Sequence, residues 1–561
     1  MRRMRMPLDH RKHYPVLVIG TGIAGLTVAF SLARAGVEVL LVTKASDPSD
    51  CNTFWAQGGI IYQGHQDSPA KLVEDILQAG AGMCNAEAVR FLAVEGPKAV
   101  RRILLDELHV PFSTDREGEL DLTQEGAHSV SRIIHAGDST GRAIEISLLN
   151  QVKREPNITL ATELTAVDLL TTHHHPQDVQ VRYRLDNECV GAYLLDNRTN
   201  EVHTVFAEFT VLATGGGGRI YLHTTNTRHT IGDGVVMAHR AGARIMNAEY
   251  VQFHPTALAD KRTNHFLISE ALRGEGARLK NQNGEYFMER YEPELRDLAP
   301  RDRVTRAIVE EMTTRKEDFV WLDLANHYHG DEPIPQRFPT IWEECRALGI
   351  DIEKEPIPVV PAAHYFCGGV LANNFGESTL HRLYAIGETS CTGVHGANRL
   401  ASTSLLEGLT WGYFAAASIA EKLRAAASPG AGSEPGGTPV RRAPSSRIAG
   451  VGPIDPSVLG TIPDWRPPGN VNMEDPALIL QDWTTIQNTM WNYVGIVRTQ
   501  ERMERAVADM RDLGSRLTRF YHESTISKEI LELFHGQNMA SIIASAAIRN
   551  PESRGAHFVK A

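Results

Sequence analysis

A short apolar run, Val16 to Ile19, leads directly into Gly20-x-Gly22-x-x-Gly25, and a helical pattern follows to about Ala35. Strand, glycine turn and helix in immediate succession open a parallel βαβ unit. In such a unit Gly20 permits the tight turn, Gly22 lets the backbone approach a pyrophosphate, and Gly25 lets the helix pack close to the strand. The start of the helix offers unpaired N–H groups and the positive end of its dipole to phosphates. This motif predicts a bound dinucleotide; the competing reading is a βα turn with a structural role alone.

The next strand, Val37 to Thr43, helps to decide which dinucleotide. A NAD-binding unit usually ends this strand with Asp or Glu for the ribose. Here it ends Thr43-Lys44, which argues against NAD. Net charge is −11, so overall charge gives no reason to expect nucleic acid, and an anionic substrate would need local Arg or His. The six cysteines are scattered, with no C-x-x-C pair. That predicts neither a metal site nor a disulfide framework, and it suits a reduced, cytoplasmic setting. Met1 to His13 is basic without an apolar core, unlike a secretory signal, and no apolar run reaches membrane-spanning length.

Further along, Thr53-Phe-Trp-Ala-Gln-Gly-Gly59 suits either a backbone laid against a flat ligand or a glycine turn with a buried aromatic pair. Helical patterns over 69–108 and Gly141 to Val152 flank a polar loop, Gln124 to Arg132. Ile158 to Leu170, Val179 to Leu185, the stretch around Val190, and Phe209 to Thr214 read as strands. His173-His174-His175 reads as a solvated loop rather than a metal site. Gly232-Asp233-Gly234 heads an amphipathic helix, where Asp233 suits a sugar hydroxyl, a helix N-cap, or both. Residues 249–364 are rich in Arg, His and Pro and read as an inserted cap. The nucleotide-domain style returns over 365–425, 426–471 reads as a linker, and 472–561 as two or three antiparallel helices. The predicted architecture is therefore α/β: a Rossmann-like domain (14–248 and 365–425) interrupted by an α+β capping domain, with a C-terminal helical bundle.

Arg301, His254 and Ser269 in the cap, with His364 and Arg399 near its junctions, make a receiver for a substrate with two carboxylates, since Arg binds carboxylate bidentately and domain junctions favour small-molecule sites. The plain alternative for each arginine is a structural ion pair.

Gly20-Thr-Gly-Ile-Ala-Gly25, Thr53-Phe-Trp-Ala-Gln-Gly-Gly59, Gln252-Phe-His-Pro-Thr256, Glu270-Ala-Leu-Arg-Gly-Glu-Gly276, Pro300-Arg-Asp302 and His395-Gly-Ala-Asn-Arg399 together resemble the succinate dehydrogenase/fumarate reductase flavoprotein superfamily, and within it the L-aspartate oxidase family. The resemblance runs from about residue 14 to the C-terminus, apart from the linker. It implies FAD, oxidation of L-aspartate to iminoaspartate at the start of de novo NAD biosynthesis, hydride transfer from the α-carbon to flavin N5, and reoxidation by O2 or fumarate. It also implies a functional link to quinolinate synthase. Asn52 stands where respiratory relatives carry a flavin-linked histidine, so the implied FAD is non-covalent. Cofactor contacts implied by the resemblance are Gly20, Thr21, Gly22, Ile23, Ala24, Gly25, Lys44, Asn52, Thr53, Phe54, Trp55, Ala56, Gln57, Gly58, Gly59, Thr165, Ala166, Asp233, Glu388, Ser404 and Leu405. Substrate carboxylates would meet His254, Ser269, His364 and Arg399, with Gln252 and Glu270 beside them; Ser269 keeps the hydroxyl of the family's threonine. Glu125 matches the acidic residue near the substrate amine, and Arg301 the family's proton donor/acceptor. Met490 to Arg498 and Ser553 to Phe558 resemble the oxidase's C-terminal helical domain. The rival readings are a soluble fumarate reductase or succinate-oxidising flavoprotein, and a flavin-carrying electron-transfer subunit.

Overall fold

The computed structural model describes residues 10–260, 262, 266–427, 453–466 and 475–560. Strand β1 (His13–Ile19) lies at the centre of a seven-stranded sheet. Helix α1 (Ile23–Arg34) follows the glycine turn and leads to β2 (Val39–Thr43), parallel to β1. The sheet continues with β3 (Ile158–Thr162), parallel to β2, while β4 (Leu164–Thr171), β5 (Cys189–Asp196) and β6 (Glu201–Leu212) form an antiparallel meander that ends beside β1. Order β3-β2-β1-β6-β5-β4 reverses direction at β1. The crevice at such a reversal, outside the carboxyl ends of the strands, is where open α/β sheets bind ligands.

Two strand expectations need correction. Ile158 to Leu170 is two strands with different partners, broken at Glu163, whose φ is +62°. Val179 to Leu185 contains a helical turn, Val179–Arg182, capped by the Asp178 side chain accepting from the Gln180 N–H. Val181 is buried but Val179 and Leu185 are exposed, which is no strand alternation, and the Asp cap decided the local geometry. The histidine run closes the turn after β4, with His175 Nδ1 accepting from the Thr171 N–H and His174 Nδ1 beside the Thr171 hydroxyl.

After α2 (Asp233–Arg240) the chain enters the cap. Four strands make its antiparallel sheet: β7 (Val251–Leu258), β8 (Arg278–Lys280), β9 (Val320–Asp323) and β10 (Ile357–Phe366), in the order β7-β10-β9-β8. Helix α3 (Arg301–Arg315) packs on them through Val304, Ala307 and Ile308. Strand β11 (Leu383–Ala385) then rejoins the central sheet, parallel to β6. Helix α4 (Thr403–Ala427) covers α1, which explains why α1 is apolar nearly all round. A Cβ added at Gly412 would stand 2.9 Å from the Ala24 carbonyl oxygen.

Residues 453–466 depart from a plain linker. They carry the short helix Pro456–Thr461 and bury Ile454, Val458 and Ile462. Residues 428–452 and 467–471 of the expected linker, and 472–474 after it, lie outside the described residues. Three long helices follow: α5 (Pro476–Tyr493), α6 (Gln500–Glu523) and α7 (Lys528–Arg549). Their apolar faces join one core with Val167, Tyr193 and Phe206 of the sheet, so the bundle is docked on the α/β body. No helix among the described residues is long and apolar enough to cross a membrane.

The three glycines of the opening turn differ in kind. A Cβ at Gly25 would meet the Gly20 carbonyl oxygen at 2.0 Å, whereas at Gly22 the nearest atom is the Thr53 hydroxyl at 3.1 Å. Backbone cannot yield as a side chain can. Gly25→Val is expected to cost more than about 4 kcal/mol, in the range that marks a broken core. Gly22→Val should cost less than about 2 kcal/mol. Urea denaturation of the two variants checks the contrast, and equal losses would refute it.

Candidate active site

A cavity of about 600 Å³ opens at the carboxyl ends of β1 and β2. Gly20, Thr21, Gly22, Ile23 and Ala24 form its floor, and Lys44, Asn52, Thr53, Trp55, Ala56, Gln57, Ala166, Asp233, Glu388, Ser404 and Leu405 also line it. The first turn of α1 holds no acidic residue, which leaves its positive end open to phosphates. Gln57 presents a buried Oε1 with no hydrogen-bond partner, as expected of a group that completes its bonding with a ligand. Size, glycine floor and unpaired acceptor all fit a dinucleotide.

Five of the expected cofactor residues stand behind the wall. Gly25 packs on the Gly20 carbonyl, and Gly59 is pressed against Ile133 and Ile134. Phe54 lies under the Arg142 guanidinium and edge-on to Trp55. Thr165 donates to Asn197 Oδ1 at 2.8 Å, and Asn197 in turn holds the Lys44 carbonyl. Gly58 faces the other site: a Cβ there would sit 2.7 Å from Glu125 Oε1.

Asn52 is a junction. Its Oδ1 accepts from the Thr227 N–H at 3.0 Å and the Thr230 hydroxyl at 3.1 Å, while Nδ2 reaches Glu388 Oε2 at 3.4 Å. Burial pushes the Glu388 carboxyl up to about 7, although the Phe366 and Gly216 N–H groups oppose the shift. At the other end Lys44 Nζ lies 2.6 Å from Asp233 Oδ2. Burial raises the Asp233 carboxyl, but Lys44 and His535 more than offset it and hold it well below the usual carboxylate range.

Beside this cavity, and joined to it through His364, is a buried polar cluster. Glu270 lies between two guanidiniums, 2.6 Å from Arg301 Nε and 3.6 Å from Arg273. Burial works against its charge, yet the two arginines take its carboxyl down to about 2. Gln252 spans the junction of cap and body: its Oε1 accepts from Arg301 at 3.3 Å, and its Nε2 donates to Asn398 Oδ1 and the Arg399 carbonyl at 2.8 Å each. Arg399 lies over the Tyr365 ring at 4.8 Å, lowered to about 10 by burial and by Arg301. The His254 and His364 rings stand 5.1 Å apart. Burial first, then neighbouring charge, holds both well below an ordinary histidine, so both are neutral in the free protein. The Thr256 N–H donates to His254 Nδ1 at 3.2 Å, and the Thr225 hydroxyl lies 2.8 Å from His364 Nδ1, which leaves each Nε2 for a ligand. Ser269 is buried beside Glu270.

Glu125 enters from the body. Ser402 donates to its Oε2 at 2.6 Å, and burial, with Glu270 nearby, raises its carboxyl while Arg301 and Arg399 pull it down. Ser402 was not singled out in the sequence, because its φ of +55° and its hydrogen bond arise only from tertiary structure. The lining segment Thr225–Thr230 and Thr214-Gly215 were likewise missed as cofactor-cavity residues; only the glycine run after an apolar strand hinted at them. No cluster of three or more metal-ligating side chains occurs among the described residues.

The Glu125 loop hangs on Arg132. This fully buried guanidinium pairs with Asp75 at 2.7 Å and Asp67 at 3.0 Å, and Asp75 also accepts from Ser129. Removing one member leaves buried charge uncompensated. Arg132→Met is therefore expected to lower stability by about 3–5 kcal/mol, measured by denaturant titration. A loss below about 1 kcal/mol would show that the pair is not needed.

Known proteins resemble this chain over nearly its whole length. The FAD binding domain family matches residues 15–405, and the fumarate reductase flavoprotein C-terminal family matches residues 483–560. An L-aspartate oxidase of Pseudomonas aeruginosa is 42% identical over 98% of this chain and 95% of its own length. A chloroplastic L-aspartate oxidase of Arabidopsis thaliana is 39% identical over 98% of this chain and 81% of its own. Among solved structures, the E. coli quinol fumarate reductase FrdA aligns with a TM-score of 0.82 at 28% identity, covering 98% of this chain and 92% of that one. With its glycine-floored cavity and its buried arginine cluster, the chain belongs to the L-aspartate oxidase family of FAD-dependent flavoproteins.

Proposed function

We infer that this protein oxidises L-aspartate to iminoaspartate, the first step of de novo NAD biosynthesis. FAD, when bound, takes the hydride from the substrate α-carbon and passes the electrons to O2 or fumarate. The observation that carries the reading is a carboxylate, Glu125, set among three buried guanidiniums, Arg273, Arg301 and Arg399. Two substrate carboxylates need the surplus positive charge, and an α-ammonium needs the carboxylate.

In this reading Arg399, His254, His364 and Ser269 hold the substrate carboxylates, with Gln252 and Glu270 fixing the arginines. The two histidines act as neutral donors. Glu125 receives the amine, and an ammonium placed there would counter its raised pKa. Arg301 is clamped by Glu270 and Gln252. A guanidinium scarcely deprotonates in a protein, so Arg301 serves as electrostatic support during aspartate oxidation; its role as proton donor when fumarate is reduced is what the resemblance implies. The likeness to FrdA favours fumarate as an acceptor.

FAD is held without a covalent bond. Asn52, at the position where a histidine would be needed, offers an amide already committed to Thr227, Thr230 and Glu388, and amide nitrogen does not alkylate as imidazole does. Iminoaspartate is unstable in water, which supports a functional link to quinolinate synthase. Six unpaired cysteines suit a cytoplasmic setting.

The purified yellow protein is expected to release its colour on acid precipitation and to make hydrogen peroxide in air with L-aspartate and not with succinate. Arg301→Leu should retain flavin but lose at least about 100-fold in turnover, the usual scale for a group that stabilises developing charge. Peroxide with neither substrate would overturn the activity, and full turnover in the variant would remove Arg301 from it.

A further inference from the structure

Helix α7 of the C-terminal bundle brings Glu532, His535, Gly536 and Met539 to one face, at the three- and four-residue steps of a helix. That face lies directly on the nucleotide cradle. A Cβ added at Gly217 or Gly232 would come within 2.7 Å or 2.6 Å of the Met539 side chain. Glu532 Oε1 stands 3.3 Å from Lys44 Nζ, and His535 Nδ1 stands 3.6 Å from Asp233 Oδ1. Lys44 is thus shared between carboxylates of two different parts of the fold. Glu532 Oε1 and Asp233 Oδ1 are buried with only these Lys44 and His535 contacts, and His535 Nε2 is buried without a hydrogen-bond partner, a sparse bonding for buried polar atoms. Lys44 and Asp233 line the cavity, while Glu532 and His535 stand behind them.

We propose that Glu532 and His535 are cofactor-positioning residues, which hold Lys44 and Asp233 in place for the adenosine half of FAD and so make cofactor retention depend on the C-terminal helices. Lys44 directly follows the second strand, where a dinucleotide fold meets the ribose of the adenosine. Lys44 already lies 2.6 Å from Asp233, and Glu532 at 3.3 Å gives its ammonium a second hold that ties the pair to α7. Without that charge the Lys44–Asp233 pair loses its tie to the helix and turns away from the ribose. His535 plays the matching part for the second oxygen of Asp233. The proposal rests on FAD as the occupant. It does not depend on which substrate is oxidised.

The test titrates flavin-free enzyme with FAD and, separately, with FMN, which lacks the adenosine, following the quenching of flavin fluorescence. Wild type is compared with Glu532→Gln and His535→Leu, and thermal midpoints are taken without flavin. The expected result is a rise of tenfold or more in the FAD dissociation constant of each variant, an FMN constant within twofold of wild type, and an unchanged flavin-free midpoint. An FAD constant within twofold of wild type would overturn the proposal. So would an equal loss for FAD and FMN, with or without a lowered midpoint, because that reports a general packing defect. If wild type bound neither flavin, the FAD reading itself would fail, an outcome separate from these.

Discussion

Everything at the substrate end depends on charge kept out of water. Arg301, Arg273 and Arg399 are buried with Glu270 and Glu125 facing them and Asp297 beside Arg273. One such pair in a low-dielectric interior is costly to assemble and costlier to break. The fold meets that cost by bringing the members from separate elements. Arg301 starts α3, Gln252 and His254 sit on β7, His364 on β10, and Arg399 and Ser402 just before α4. Gln252 is the tie, because one amide serves Arg301 on the cap side and Asn398 and Arg399 on the body side. The cluster exists only when cap and body are assembled.

The cofactor end follows a different physical rule. Its shape comes from close backbone approach: Gly20 against Ala213, Gly25 against Gly20, and Gly412 against Ala24. These contacts bring β1, α1 and α4 together tightly enough to leave a groove of the right depth above them. The polar groups then line the groove in pairs, Asn52 with Glu388 and Lys44 with Asp233. The C-terminal bundle is part of this arrangement, since Met539 packs on the glycine turns.

Much of this was legible in the sequence for reasons that can be named. Gly20 to Gly25 announced the cradle because a motif of backbone contacts leaves a glycine signature. Lys44 pointed away from NAD by replacing an acid. The cap was visible because its Arg and His content breaks an α/β pattern. What stayed hidden depends on tertiary placement. Ser402 and Asn398 matter through single hydrogen bonds. The 179–185 stretch looked like a strand until Asp178 capped a helical turn. Residues 453–466 looked like linker by composition, yet Val458 and Ile462 are buried. Gly25 and Gly59 were expected as cofactor contacts, but they serve packing.

On the proposed function, Glu125 in a cationic pocket selects an amine-bearing dicarboxylate. Glu125→Gln tests it most directly, because the exchange removes the charge and keeps the shape. The measurement is the rate constant for anaerobic reduction of the bound flavin by L-aspartate, taken with the dissociation constant for fumarate. Aspartate-driven reduction is expected to fall by at least about tenfold, the effect of losing a charge-assisted contact of about 1.4 kcal/mol or more, while fumarate binds as tightly as in wild type or more so. Unchanged reduction by aspartate would contradict it.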